Sequence, residues 1–355
     1  MIPSILFVLP VRGGGGGANS VVQESLGLAR LGVTVAIACN SNNYNSFVTN
    51  YPELQSRVKI EPFAHGQLGP ILTRYEVVIA TINNSVREIR DALAMAKTET
   101  PPRLAYYVQD YEPLFYAPES PEWQTARESY TLVRDMTLFA KTRWLQRMVY
   151  ENHGVRVAKV EPSIDHDVFF TNLTRPTDVL SIVAMVRPKT PRRAPRRTMR
   201  LMQVLAERFD EGVSLQIFGA TNEELAAEGY DLNFGVINRG VLRRTDVPNL
   251  LRNADLFLDL SDYQAFGRTG LEAMASGCVP VVPIMGGADE YAIHGYNGYL
   301  VDTRSDAEIL AAIESFVALT PEGRMAMRLR GIETASHYSV QRAALSELKI
   351  FMNLF

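Results

Sequence analysis

Glu272 is a carboxylate set just inside a helix-like run, and Gln264 is an amide eight positions before it, in SDYQAFGRTGLEAMASGCVPVV (residues 261–282). An ionised acid only accepts hydrogen bonds, so it suits a ligand that offers hydroxyls; an amide both donates and accepts. Gly267 and Gly270 loosen the start of the helix, and an apolar run from Cys278 to Val282 follows it. A second group is the loop RPKTPRRAPRR (187–197), within a stretch holding seven basic residues from Arg187 to Arg200. Arg187 ends an apolar strand-like run and Arg192 lies five residues on, and two such cations suit a diphosphate through forked hydrogen bonds. Arg196, Arg197 and Arg200 read as surface. The loop also reads as a solvated patch for an anionic membrane or nucleic acid, but it lacks the interleaved aromatics that single strands need.

A third group is the glycine run Gly13 to Gly17, between the apolar SILFVLP and a helix expected to start at Asn19 or Ser20. Unpaired amides at such a helix start bind anions. No Gly-Lys-Ser/Thr follows, which excludes a Walker loop. The next strand ends ACNSNN without an acid for a ribose, which argues against a nicotinamide site. The segment YYVQDYEPLFY (106–116) leaves a strand carrying Gln109, Asp110 and Glu112. These groups either face an acceptor or, for Asp110, bond to nearby backbone. Asp165-x-Asp167 imitates a metal-holding acidic pair but lies in a turn-rich stretch, so no metal is expected there.

These residues need a scaffold, and the rest of the chain supplies one. SILFVLP, VTVAIAC, YEVVIAT, RLAYYVQ and MTLFAK read as strands in the first half. VLSIVAMV, VSLQIFG, DLFLDLS and CVPVVP restart the pattern in the second, with helical periodicity in NSVVQESLGLARLG, MRLMQVLAERF and DVPNLLRNA. Strands alternating with helices predict parallel sheets covered on both faces. The 355 residues suit about two domains. The polar, turn-rich stretch EPSIDHDVFFTNLTRPTD marks the join: residues 1–172, then 173–338, then a closing helix in 339–355 that packs back across the hinge. Two such domains face a central cleft, and ligands bind at the carboxyl ends of their strands. A net charge of −3 gives no global reason to bind nucleic acid. Cys39 and Cys278 lie far apart in apolar runs, without disulfide or zinc spacing. No basic leader precedes the first strand, and no apolar run reaches the ~18 residues of a membrane span. A cytoplasmic protein is expected, with room for peripheral contact at the inner face of a membrane.

Together, GGAN (16–19), RPKTPR (187–192), YQAFGRTGLEAMASGCVPVV (263–282) and GGADEYAIHGYNGYLVD (286–302) resemble the large retaining glycosyltransferase family of GT-B fold, the group 1 or family 4 type. YYVQDYEPLFY and RPKTPRR more narrowly resemble bacterial rhamnosyltransferase-type members that build cell-surface polysaccharide. The resemblance implies a GT-B architecture of two Rossmann-like doubly wound domains. It implies that Glu272 holds the ribose hydroxyls of a donor nucleotide, and that Phe266, Gly267, Arg268 and Thr269 line the donor's sugar and diphosphate. Arg187 and Arg192 fall on the family's diphosphate cations, with Arg192 where a lysine is usual. Gly16 and Gly17 match its amino-domain glycine pair, and Gly240 and Val241 loosely match the backbone against the base. Gln109 and Asp110 stand on the acceptor side. Gln264 replaces the first of the family's two acids, with Ala265 in place of the following glycine. The change suggests a different hydroxyl pattern on the donor sugar, such as a deoxysugar.

The implied activity is transfer of a sugar, with retention, from a nucleoside diphosphate sugar to a glycan or lipid-linked acceptor. No metal or other cofactor is expected, and no nucleic-acid partner. The alternatives are a nucleotide-sugar epimerase of the same fold, and a non-catalytic anion- or RNA-binding protein using the arginine-rich loop.

Overall fold

The computed structural model describes every residue except 1, 55, 97, 172 and 174–178. The boundary expected at residue 172 lies outside the described residues. The chain forms two compact units: Met1–Ser163 with Tyr338–Phe355, and Ile164–His337.

The first unit is built on seven strands among the described residues: β1 Ile5–Val8, β2 Val35–Asn40, β3 Lys59–Phe63, β4 Val77–Ala80, β5 Arg103–Tyr107, β6 Thr137–Ala140 and β7 Val157–Lys159. They lie in the order β3-β2-β1-β4-β5-β6-β7. The second unit has six: β8 Leu180–Met185, β9 Val213–Phe218, β10 Ile237–Asn238, β11 Leu256–Leu258, β12 Val279–Pro283 and β13 Tyr299–Val301, in the order β10-β9-β8-β11-β12-β13. Pairing is parallel throughout both ladders. β1 is buried at all four positions and β8 at five of its six, which is why both read as continuous apolar runs.

Strand order reverses at β1 in one sheet and at β8 in the other. Such switch points open a crevice at the strands' carboxyl ends. The glycine run leaves β1 and the arginine loop leaves β8, so both motifs emerge where each sheet can hold a ligand.

Helices cover the sheets through one apolar face each. Pro195–Phe209 buries Thr198, Met199, Leu201, Met202 and Leu205, a spacing of three and four residues. The helix Gly16–Arg30 begins earlier than Asn19, because Gly15 is extended (φ −90°, ψ 162°) and Gly16 and Gly17 already turn helically. The glycine pair is therefore the helix's first turn rather than the loop before it. The closing helix Val340–Met352 belongs to the first unit and packs on Gly16–Arg30. A methyl group at Gly27 would lie 2.9 Å from Ala344 Cβ and from the Val340 carbonyl oxygen. No helix among the described residues is long and apolar enough to cross a membrane.

Candidate functional site

In the second unit the site is organised by the helix Arg268–Ala275, which follows β11. Gly267 starts it in the left-handed region (φ 77°), and no side chain caps it. The Gly267 carbonyl accepts from the Tyr291 hydroxyl at 2.8 Å. Phe266 meets the same tyrosine edge-on, with ring centres 5.5 Å apart. A methyl at Gly270 would run into that hydroxyl and stand 2.9 Å from Val282. The glycines thus let Tyr291 pin the helix start from behind, leaving the first-turn N–H of Thr269 for an anion.

Glu272 lies one turn in. It is 8% exposed, yet its carboxylate accepts no hydrogen bond from any described residue. Burial pushes its carboxyl up to about 7; Arg268 and Arg244 pull it down, and Asp165 pushes it further up. A buried acid with unused acceptors is costly unless something supplies donors, and hydroxyl groups would.

Arg244 and Asp165 are paired at 2.8 Å, with the Arg244 guanidinium 5.9 Å from the Phe169 ring centre. Asp165 is thereby claimed by an arginine. Its other oxygen accepts from the Asp167 backbone N–H at 3.2 Å, closing a local turn. No group of three or more metal-ligating side chains occurs among the described residues.

The arginine loop is stitched to the segment that leads into Gln264. Arg187 is exposed just past β8. Arg192 stands 5.9 Å from the Tyr263 ring centre, and its carbonyl accepts from the Asp262 N–H at 2.9 Å. Arg193 lies 3.8 Å from Asp259. Arg197, expected at the surface, is instead tucked in: it donates to the Leu260 carbonyl at 2.8 Å and to Asp262 at 2.9 Å. Arg196 is exposed, and the largely exposed Arg200 pairs with Asp306.

Gln264 is 5% exposed. Its amide nitrogen donates to Asp259 at 2.6 Å and to Ser261 Oγ at 3.1 Å, which leaves its carbonyl oxygen for a ligand. Its backbone is clamped as well: Gln264 N–H donates to the Met285 carbonyl at 3.2 Å, and its own carbonyl accepts from Gly287 at 2.8 Å. Between them Gly286 has φ 120°, and a methyl there would collide with the Gln264 backbone. Gly286→Ala is therefore expected to destabilise the second unit by several kcal/mol, of the order seen for strain and overpacking together. Thermal unfolding checks it. Gly240 (φ 69°) lies just past β10 and its carbonyl accepts from Gly219 N–H at 2.8 Å; Val241 beside it is exposed. Both lie past β9 from the arginine loop.

In the first unit Gly17 and Gln109 come together: a Cβ on Gly17 would stand 3.1 Å from Gln109 Oε1. Gln109 donates to the Thr81 carbonyl at 3.1 Å, and its buried Oε1 has no partner among the described residues. Asp110 accepts from the Tyr111 N–H at 2.9 Å, the local backbone bond. Glu112 is buried and accepts from the Asn83 N–H at 3.0 Å and the Tyr106 hydroxyl at 3.1 Å. It closes the start of the helix Asn83–Ala96, and burial raises its carboxyl to about 7. Arg244, Asp259 and Arg193 are the participants that sequence patterns do not reveal.

Residues 180–334 match the family described as Glycosyl transferases group 1. The chain is 32% identical over 107 residues to the uncharacterized glycosyltransferase YqgM of Bacillus subtilis, covering 30% of the chain and 28% of YqgM. It is 41% identical over 63 residues to the mannosylfructose-phosphate synthase of Agrobacterium fabrum, covering 18% and 14%. These matches thus span under a third of either relative. Among solved structures, Anabaena Alr3699/HepE in complex with UDP and glucose superposes with a TM-score of 0.78 at 16% identity, over 99% of this chain and 100% of that one. Sucrose-phosphate synthase from Thermosynechococcus elongatus gives 0.76 at 15% identity, over 99% of each chain. The fold is GT-B.

Proposed function

We propose that this chain, whose second unit matches the group 1 glycosyltransferases, moves a sugar from a nucleoside diphosphate sugar to a glycan or lipid-linked acceptor. The observation that carries the reading is Glu272, buried but without a hydrogen-bond donor, inside a helix whose uncapped start adjoins an arginine loop. The likeness to a protein solved with UDP and glucose supports the same donor class.

The chemistry follows from charge. As the glycosidic bond breaks, the sugar carbon becomes cationic and charge builds on the leaving diphosphate. Arg187, Arg192 and the helix start at Thr269 stabilise that charge at fixed positions. Two ribose hydroxyls donate to Glu272. No side chain need attack; the leaving phosphate takes the acceptor's proton, and configuration is retained. In the first unit, Gly16, Gly17 and the free Oε1 of Gln109 form a second polar site suited to hydroxyl and anionic groups. The finer reading is a rhamnosyltransferase-like enzyme of cell-surface polysaccharide synthesis, using a deoxysugar donor without a metal. Gln264 in place of an acid supports the deoxysugar. Turnover is then expected to persist in EDTA; a full loss restored by Mg²⁺ or Mn²⁺ would reopen a role for the Asp165 region.

The test begins with thermal-shift screening against UDP, GDP, dTDP and their sugars, followed by calorimetry on Glu272→Gln. The variant should lose about 1.5–3 kcal/mol of nucleotide affinity, the range for charge-assisted bonds. Wild-type affinity should also rise between about pH 6 and 8, as Glu272 ionises and becomes a pure acceptor, and the glutamine variant should lose that rise. Equal affinities at every pH would remove the ribose role.

A further inference from the structure

A cluster of two acids and one base lies inside the first unit. Glu24, on Gly16–Arg30, and Glu347, on Val340–Met352, are both 0% exposed, and Lys141 at the end of β6 is 5% exposed. Lys141 is ion-paired to Glu24 Oε1 and sits 5.5 Å from the Tyr107 ring centre. The same carboxylate oxygen accepts from the Tyr107 hydroxyl at 3.2 Å, and the single Ser163 hydroxyl proton is shared between that oxygen at 3.4 Å and Gln23 Oε1 at 3.2 Å. The second oxygen of Glu24 and both oxygens of Glu347 have no hydrogen-bond donor among the described residues. The Glu347 carboxyl faces that of Glu24. The charged groups on Glu347's own helix, Arg342 and Lys349, point to solvent.

With both acids ionised, this cluster would hold two negative charges against one positive, away from water. An uncompensated buried charge is among the costliest things a fold can contain. One proton removes the excess charge and gives an orphaned oxygen its donor. We propose that Glu347 is held un-ionised and donates to Glu24, so that one shared proton clamps the closing helix, and Ser163 beside it, to the first unit. Ser163 is the last residue before the chain leaves this unit, and Tyr338, two residues before the closing helix, is the first after it returns. The crossing at Ser163 therefore touches Glu24, and the helix that follows the return carries Glu347. The close approach at Gly27 seals the two helices together. Burial and the charge of Glu24 hold Glu347 well above the usual carboxylate range, against the pull of Lys141.

The sign of the pH effect follows. The folded chain keeps this proton where an unfolded glutamate has lost it. The clamp's contribution is full in acid and drains as pH rises, by up to about tenfold in the folding constant per pH unit. Glu347→Gln keeps the shape, supplies an N–H donor to Glu24 at every pH, and should remove that part of the pH dependence. The direct reading is infrared spectroscopy of the full chain at about pH 8.5, where ordinary carboxyl groups are ionised. Wild type should show the carbonyl stretch of an un-ionised acid and Glu347→Gln should not. Should that variant fail to fold, Glu24→Gln also loses the band, because Glu347 then ionises to pair with Lys141. An absent band in wild type, or one that survives both substitutions, overturns the shared proton. A Glu347→Gln variant whose unfolding stays as alkali-sensitive as wild type overturns the clamp.

Discussion

Arg187→Ala and Arg192→Ala are each expected to lower turnover by about 10²–10³-fold, the usual loss when one preorganised charge stabiliser is removed, and to lower turnover more than they lower stability. Arg187 is exposed and its side chain has no hydrogen-bond or ion-pair partner among the described residues, so its removal takes no such contact from the scaffold. Arg192 touches the scaffold through its backbone carbonyl, which alanine keeps, and through its position over Tyr263. Two neighbours serve as internal controls. Arg196→Ala removes a solvated cation and should leave turnover near wild type. Arg197→Ala breaks two bonds to the segment that carries Gln264 and should lower stability as well as turnover. Steady-state rates with a nucleotide-sugar donor, read beside thermal unfolding, separate these cases. Small and equal losses at Arg187, Arg192 and Arg196 would return the loop to a solvated patch.

The interior strands were legible because burial on both faces leaves an apolar run that local pattern detects. The strands that pattern misses are β3, β7, β10 and β13, the four edges of the two sheets. An edge strand has one neighbour and partial solvent, so its side chains need not be apolar throughout. In β3, Lys59 and Pro62 are exposed, and β10 spans only two residues. The site divides in the same way. Glycines, the strand-end arginine and Glu272 carry their signal locally. The partner of Asp165 lies 79 residues away, and no local spacing predicts that pairing. Arg197 was misread for the same reason: its acceptors, Leu260 and Asp262, lie more than sixty residues on.

Gln264 shows how such a distant frame changes an expectation. On sequence alone Gln264→Glu tests whether the amide reads the donor sugar. The structure adds a larger effect, because the amide nitrogen already donates to Asp259 at 2.6 Å and the side chain is buried. A carboxylate there would face the Asp259 carboxylate with no proton between them. Arg193, at 3.8 Å, offers only partial compensation. An uncompensated buried charge costs about 3–5 kcal/mol, so the substitution should destabilise the second unit by that order at neutral pH. Burial and the neighbouring charge would raise the new acid's ionisation range in the folded state. The variant should then approach wild-type stability in acid and fall away as pH rises past the ordinary glutamate value. Adding Asp259→Asn restores a donor facing the new carboxylate and should recover much of the loss. On that repaired background the sugar question can be asked cleanly. If the carbonyl oxygen of Gln264 meets the donor sugar, affinity for the intact nucleotide sugar should change while affinity for the bare nucleoside diphosphate changes much less. Equal changes in both, or in neither, would confine Gln264 to bracing the loop against Asp259.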